Sequence, residues 1–398
     1  MLRSPLLPIA LTVFVDVLGL TLMLPLLPYY AEHFHATPFV VGTLIASYAV
    51  CQLVSGPILG RASDRLGRKP VLLVSQMGTF ASLLVIGSAN SLWMLFAGRI
   101  IDGLTAGNLT IAQAYISDVT KPENRTKAFA LIGIAFGSGF LIGPAISGFL
   151  AHRYGLAAPA FGAAALSLTS IIFTATLLPS TKPPKPMGRQ GLIATLSRFM
   201  ALPAPRRRLL EFFAFTLSFA SLTGGLAMFL ERRFHYNVEK TGLVYAYSGF
   251  IGGMVQGGIG RLVKKLGESR LSQIGFATMA AGYCFLGLTY HLPVLLVLVT
   301  VAGFGVAVTR PSLTTLITKS VGADEQGAAL GASQSLASIS QIVAAPAVGF
   351  LIEHDKLLFY GLMAGGFALG GLFLAMKPDE NDAGSAPKTI DAGPAPEG

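Results

Sequence analysis

Three ionisable residues, Asp16, Arg99 and Asp102, lie inside long apolar stretches of the sequence. A charged side chain near the centre of a bilayer costs about 2.5–3.5 kcal/mol on insertion scales, so such residues are functional candidates. Arg99 and Asp102 are three residues apart, which places them on one face of a helix. Burial raises the pKa of a carboxyl group and a nearby guanidinium lowers it. One acid is therefore expected to pair with Arg99, and the other to exchange a proton.

The two acids are not equivalent candidates for that proton exchange. We expect Asp16 to be the proton carrier, because it is far from Arg99 in sequence and can separate from it when helices move. Asp102 is the alternative carrier. A static charge network that only orients the helices of Arg99 and Asp16 is the third interpretation.

The segments that carry these residues are typical of membrane spans. The chain has 398 residues, of which 53% are hydrophobic and 12% charged, whereas soluble domains are about 25% charged. A helix needs about 20 apolar residues to cross the hydrocarbon core. Twelve stretches meet this condition: 6–30, 39–59, 71–89, 92–117, 127–151, 156–178, 209–230, 241–262, 271–290, 292–318, 327–352 and 357–376. The predicted fold class is an all-α membrane protein with twelve transmembrane helices.

The positions of Lys and Arg predict the orientation of these spans. The termini and the loops on their side hold 22 of the 29 basic residues. Basic loops stay in the cytoplasm, so both termini are expected there, in the inner membrane of a cell. The net charge of +10 is thus a topology signal, and nucleic-acid binding is not expected.

The chain divides into two related halves. Residues 1–178 hold six spans, 179–208 read as a cytoplasmic linker, 209–376 hold six more, and 377–398 are expected to form a disordered tail. Gly60-Arg61 and Leu66-Gly67 recur 200 residues later, and Pro144 with Gly148-Phe149-Leu150 recurs at Pro346 with Gly349-Phe350-Leu351. Halves related in this way are how many secondary transporters are built, with the substrate site between them.

Two motifs add a family resemblance. The loop GRASDRLGRKP (60–70) resembles the loop between helices two and three of the major facilitator superfamily. The stretches at 16–28, 98–107 and 136–148 (FGSGFLIGPAISG) resemble twelve-helix drug:proton antiporters, especially tetracycline-efflux proteins.

The resemblance implies roles for both motifs. It implies that Gly60, Arg61, Asp64, Gly67 and Arg68 form a latch that holds one conformational state. It also implies that the glycines and proline of helix five bend or pack closely during transport; these are Gly139, Gly143, Pro144 and Gly148. The relatives carry further acids in helices three and nine, which are missing here, and this favours a single-proton mechanism.

Other polar residues within spans are candidates for a substrate cavity. They are Tyr48, Gln52, Asn108, Gln113, Tyr245, Gln256, Gln334 and Gln341. Arg310, beside Pro311, is expected to reach the interface by snorkelling or to serve the function directly. Glu211, near the end of a span, is expected to be solvated.

The leading interpretation is a monomeric, proton-coupled exporter of amphipathic small molecules that works by alternating access. The alternatives are a metabolite or lipid carrier, by uniport, symport or flipping, and a receptor without transport on the same scaffold. Protons are the expected coupling ion and no other cofactor is expected. Enzyme function is not expected, because no nucleophile–base pair, metal-ligand cluster or phosphate loop stands out.

Overall fold

The computed structural model describes residues 6–120, 125–179, 192–322 and 325–377. Within these ranges the regular elements are thirteen α-helices: α1 (Leu6–His33), α2 (Pro38–Leu66), α3 (Arg68–Gly87), α4 (Leu92–Leu104), α5 (Asn108–Val119), α6 (Arg125–Tyr154), α7 (Ala158–Leu177), α8 (Leu192–Ala201), α9 (Pro203–Phe234), α10 (Val238–Leu286), α11 (Leu292–Lys319), α12 (Gln326–Glu353) and α13 (Leu357–Met376). The proposed disordered tail, apart from Lys377, and residues 180–191 of the proposed linker lie outside the described residues.

These helices supply the twelve predicted spans. Helices α4 and α5 together form the fourth span, and α10 contains the eighth and ninth, joined at the non-helical Gly267. Of the helices in the described ranges, nine are individually long and apolar enough to cross a membrane. The all-helical fold with two six-helix halves is as the hydropathy predicts.

The internal repeat has a physical basis in the backbone. Thr37 caps the start of α2 and Asn237 caps the start of α10, each accepting a hydrogen bond from the backbone three residues later. Gly67 and Gly267 both have positive φ, 95° and 73°, a conformation that glycine adopts without steric cost. Positions 200 residues apart therefore begin corresponding helices in the two halves and form corresponding turns.

The halves meet through two equivalent helix pairs, α2 with α12 and α6 with α10. A Cβ atom at Gly42 would overlap the backbone of Ala345, and one at Gly242 would overlap the backbone of Pro144. Small residues permit this close approach of helix backbones in membranes. These pairs are tight at the ends of the helices farthest from the chain termini.

The described part of the predicted linker contains a helix. Helix α8 lies within it, and Phe199 on this helix is fully buried. Arg198 forms an ion pair with Glu325 at the start of α12. Helix α9 begins at Pro203, within the proposed linker. The many basic residues there hid the short apolar face of α8.

Glu211 is also placed differently from expectation. Its side chain is fully buried, and its carboxylate accepts hydrogen bonds from Arg207 Nε at 3.0 Å and from Arg208 Nη1 at 3.1 Å. A buried carboxylate needs paired charges to offset its desolvation. The two preceding arginines supply them, so the group does not need water.

The fourth span is interrupted, where the sequence predicts a continuous helix over 92–117. Helix α4 ends at Leu104 and α5 begins at Asn108. The Gly107 N–H donates to Ser75 Oγ at 2.9 Å, and this hydroxyl donates to the Thr105 carbonyl. Irregular backbone is tolerated at membrane depth where neighbouring helices satisfy its polar groups. Ser75 on α3 has this role here.

Candidate functional site: a cavity and two buried carboxylates

A cavity lies between α6 of the N-terminal half and α9, α10 and α11 of the C-terminal half. Its empty volume is about 1080 Å³, with its opening included. Aromatic rings form much of its wall, among them Phe136, Phe140 and Phe219, and small residues such as Gly252 and Gly303 leave room between them. A mostly apolar concave site with a few polar groups is typical of small-molecule binding.

The cavity contains one charged residue among those that line it, Arg310. Its guanidinium carbon lies 5.4 Å from the centroid of the Phe136 ring on α6. This position favours the direct functional role for Arg310 over snorkelling to the membrane surface.

The proposed cavity residues divide into two groups. Tyr245 and Gln256 line the cavity. The other six do not line it, and they are Tyr48, Gln52, Asn108, Gln113, Gln334 and Gln341. Asn108 Oδ1 is buried without a hydrogen-bond partner beside the break in the fourth span. The polarity of a residue within a span does not show whether its side chain faces the cavity.

Arg99 and Asp102 form a buried ion pair. Arg99 Nη1 lies 3.2 Å from Asp102 Oδ2, and the Thr79 hydroxyl donates a further hydrogen bond to Asp102. The Arg99 guanidinium carbon lies 4.3 Å from the centroid of the Tyr48 ring on α2. A desolvated cation over an aromatic face is stabilised electrostatically. This pair therefore connects α3, α4 and α2 within the N-terminal half.

Two further hydrogen bonds extend this group to the C-terminal half. Gln52 Nε2 donates to Tyr48 Oη at 3.0 Å, and Gln52 Oε1 accepts from Ser338 Oγ at 3.1 Å. Ser338 belongs to α12. The contacts form a chain from the Arg99–Asp102 pair to the other half.

Asp16 lies in a separate polar cluster between α1, α3 and α7. Gln76 Nε2 approaches Asp16 Oδ2 at 3.5 Å and donates to Ser170 Oγ at 2.7 Å, and Ser170 also bonds Asp16. Among the described residues, no ion pair includes Asp16. Asp102, and not Asp16, is the partner of Arg99. Asp16 does not line the cavity either, so a substrate held there does not touch it.

The helix 2–3 loop cluster is bonded within the N-terminal half. Arg68 is almost fully buried and donates to Asp64 Oδ1 at 2.6 Å, to Asp118 Oδ2 at 2.8 Å and to Ser63 Oγ at 2.7 Å. Arg61 is exposed and donates to the Pro57 carbonyl at 3.2 Å. Gly60 lies in the last turns of α2, and Gly67 provides the turn into α3.

Asp118 is a member of this cluster that the sequence motif does not contain. It lies at the end of α5, fifty residues from Arg68. One signal could have identified it: an acidic residue at the end of a span, on the same side of the membrane as the basic loop.

The helix-five motif places small residues against two different neighbours. Gly139 and Gly143 face Val17 and Thr21 of α1, and Thr21 Oγ1 donates to the Gly139 carbonyl at 2.9 Å. At the other end of the motif, Pro144 and Gly148 pack on α10 of the C-terminal half. The motif thus joins α1 to the opposite half through one helix.

The halves are in contact on the side of the membrane opposite the termini. Tyr29 Oη bonds the Tyr236 carbonyl and Thr241 Oγ1, each at 2.7 Å, and Phe39 N–H donates to Glu353 Oε2 at 3.0 Å. Toward the termini, a Cβ added to any of several glycines would meet no atom within 4 Å; they include Gly56, Gly253, Gly257 and Gly331. In the described parts of the chain, the halves are thus bonded to each other on the side opposite the termini, whereas these glycines have open space beside them.

Comparisons with known proteins agree with this architecture. The sequence profile of the Major Facilitator Superfamily matches residues 9–345 and 209–396. The chain is 30% identical to the class H tetracycline resistance protein of Pasteurella multocida, over 92% of this chain and 93% of that protein. It is also 30% identical to multidrug resistance protein 1 of Bacillus subtilis (strain 168), over 86% and 88% of the two chains.

A solved structure shares the fold. The human organic anion transporter MFSD10 (TETRAN) superposes with a TM-score of 0.75 at 24% identity, covering 94% of this chain and 99% of that chain. Together with the sequence matches, this identifies a multi-pass membrane transporter and not an enzyme. The chain belongs to the Major Facilitator Superfamily, within the drug-efflux family that includes the tetracycline resistance proteins.

Proposed function

We propose that this protein exports amphipathic small molecules from the cytoplasm in exchange for protons, by alternating access. In this proposal it works as a monomer in the inner membrane, with both termini in the cytoplasm. The basic loops on the termini side support that orientation. The tight contacts between the halves lie on the opposite side, so the cavity would then be reached by substrate from the cytoplasm.

The observation that carries the coupling to protons is the environment of Asp16. A carboxylate inside a membrane without a cation beside it is stable when it is protonated or when water reaches it. The described residues around Asp16 offer amide and hydroxyl groups but no cation. Asp102, by contrast, already has Arg99. Asp16 is therefore the proton carrier in this proposal, and the Arg99–Asp102 pair connects helices.

Coupling between proton and substrate is indirect in this arrangement. Asp16 precedes Val17, and Val17 packs against Gly139 of α6. Three residues earlier on α6, Phe136 forms part of the cavity wall. A change of charge at Asp16 that shifts α1 would therefore move a helix that lines the substrate site.

The driving force is sufficient for export. One charge moved through 100 mV is worth about 2.3 kcal/mol, and one pH unit adds about 1.4 kcal/mol. At 1.4 kcal/mol per tenfold step, one proton supports a gradient of a few hundred-fold for a neutral substrate.

The test is transport in proteoliposomes under an imposed pH gradient, with tetracycline and naphthalene-2-sulfonate as probes and an enclosed dye that reports proton release. Asp16→Asn should abolish uphill transport, whereas Asp16→Glu should retain part of it because the carboxyl remains. Size-exclusion profiles would show that both variants are folded. Uphill transport by Asp16→Asn at the unaltered rate would remove Asp16 from the mechanism. Equilibration of the probes without proton release would favour a uniporter on the same fold.

A further inference from the structure

Arg310 gives the cavity a charge that the neighbouring protein does not neutralise. Among the residues that the structure describes, no Asp or Glu lines the cavity. In the described ranges of the chain, Arg310 takes part in no ion pair. Its contact with the Phe136 ring stabilises a cation by less than an arginine costs at membrane depth. The unpaired guanidinium thus fits a ligand with a negative charge.

A second polar group in the wall also lacks a partner. Tyr283 is 1% exposed and lines the cavity, and among the described residues its hydroxyl has no hydrogen-bond partner. Buried hydroxyl groups are normally bonded, so an orphaned one at a cavity indicates a missing ligand or water. Gly282 packs on Ala302 of α11. At 1.5 Å per residue, the backbone of Arg310 lies about 12 Å farther along that helix.

Apart from Thr223, Tyr245, Ser248 and Gln256, the rest of the wall is apolar. Val306 and Ala307 lie on α11, and Phe136, Phe140 and Phe219 lie on the facing helices. A molecule that fills this space therefore needs a flat or branched hydrocarbon body, with its charge at the Arg310 end. A cationic molecule would bring a like charge toward Arg310 with no carboxylate in the wall to offset it.

We propose that the cavity binds amphipathic organic anions, with the anionic group on the Arg310 guanidinium and the apolar body between the aromatic rings. This inference rests on the proposed function as an exporter and specifies its substrate class. Guanidinium groups bind carboxylates, sulfonates and phosphates with two parallel hydrogen bonds. Either of the first two groups would fit the single arginine.

Equilibrium binding tests the proposal without requiring transport. The probes are naphthalene-2-sulfonate, the neutral naphthalene-2-sulfonamide and the cationic 2-naphthyltrimethylammonium, which share one ring system. Calorimetry would use the whole protein in lipid nanodiscs, with empty nanodiscs as the blank. The sulfonate should bind at least tenfold more tightly than the other two probes. The variants are Arg310→Gln, Arg310→Lys and, as a control on the same helix, Thr314→Val.

The expected result is that Arg310→Gln weakens sulfonate binding about tenfold or more and leaves sulfonamide binding unchanged. Arg310→Lys should retain part of the preference, and Thr314→Val all of it. Equal binding of sulfonate and sulfonamide, or equal sulfonate affinity with and without Arg310, would overturn the proposal. If transport proves independent of protons, the proposed function fails while this binding preference can still be measured.

Discussion

Ser338 on α12 donates a hydrogen bond to Gln52 on α2 at 3.1 Å, and this bond crosses the boundary between the two halves of the transporter. On the same side chain, the Gln52 amide donates to Tyr48, whose ring lies against the Arg99 guanidinium. A buried ion pair in one half is thus in contact, through two neutral side chains, with the other half. Any movement that separates α2 from α12 must break this bond.

A double-mutant cycle measures that connection. Gln52→Leu and Ser338→Ala should each destabilise the protein, and their combination should cost less than the sum, by about 0.5–1.5 kcal/mol for one buried hydrogen bond. The measurement is the free energy of unfolding in an SDS titration. Ser335→Ala is the matched control, because Ser335 bonds the Gly331 carbonyl of its own helix. Full additivity of Gln52→Leu with Ser338→Ala would contradict the contact.

The contact between α6 and α10 should be sensitive to a single methyl group. A Cβ at Gly249 would overlap the backbone of Phe140, whereas one at Gly253, a turn later, would meet no atom within 4 Å. Gly249→Ala should therefore disfavour closure on the side opposite the termini and slow transport at least tenfold, and Gly253→Ala should leave closure intact. Cross-linking of cysteines at positions 152 and 239, in a background without Cys51 and Cys284, reports closure. Equal cross-linking of the two variants would count against this packing.

Glu211 should be a strong determinant of stability. Glu211→Gln leaves Arg207 and Arg208 without the buried carboxylate that they share, and breaking a buried pair costs about 3–5 kcal/mol. Glu325→Gln removes the exposed pair with Arg198, which is worth about 0–1 kcal/mol. Thermal unfolding in detergent compares the two variants. Similar midpoints for both would show that Glu211 is solvated after all.

Acid should weaken one contact between the loop of Gly267 and the end of α11. Lys319 Nζ donates to Glu268 Oε1 at 2.7 Å and holds the pKa of Glu268 below its ordinary value of 4.5. The bond therefore stabilises the fold at a pH above that value, and its contribution is lost as the pH falls through the lowered pKa. Lys319→Ala should lower the unfolding midpoint slightly at pH 7 and by less at pH 3. Lys264→Ala serves as the charge-matched control, and an equal effect of Lys319→Ala at both pH values would refute the assignment.

The sequence predicts the twelve spans because the ability of a segment to cross a membrane depends on its length and composition alone. The repeated motifs predict the two halves. The sequence also predicts the equivalence of Gly67 and Gly267, since both carry the same local turn. The break after Leu104 escapes such analysis, because the Ser75 hydroxyl that satisfies it comes from another helix. The burial of Glu211 escapes it too, since nearby charges read equally well as a solvated surface.

The candidate site, too, has features that the sequence predicts and features that depend on how the helices pack. Ionisable residues within spans are recognisable because a charge in the membrane carries a large free-energy cost. Asp16, Arg99 and Asp102 could therefore be selected before their neighbours were known. Which of them are neighbours depends on the rotation of each helix about its own axis, and hydropathy gives no information on that rotation. Tyr245 and Gln256 face the cavity, while Gln52 on another helix faces α12. A hydropathy profile cannot distinguish these orientations.

The cavity wall comes from four helices, three of them in the C-terminal half, whereas both buried aspartates belong to the N-terminal half. Cargo selection and energy supply would thus be encoded by separate stretches of one gene. Homologous recombination that exchanged only the stretch for the C-terminal half would change the substrate site and keep the two aspartates. Under the proposed function, the substrate range could then change without loss of proton coupling.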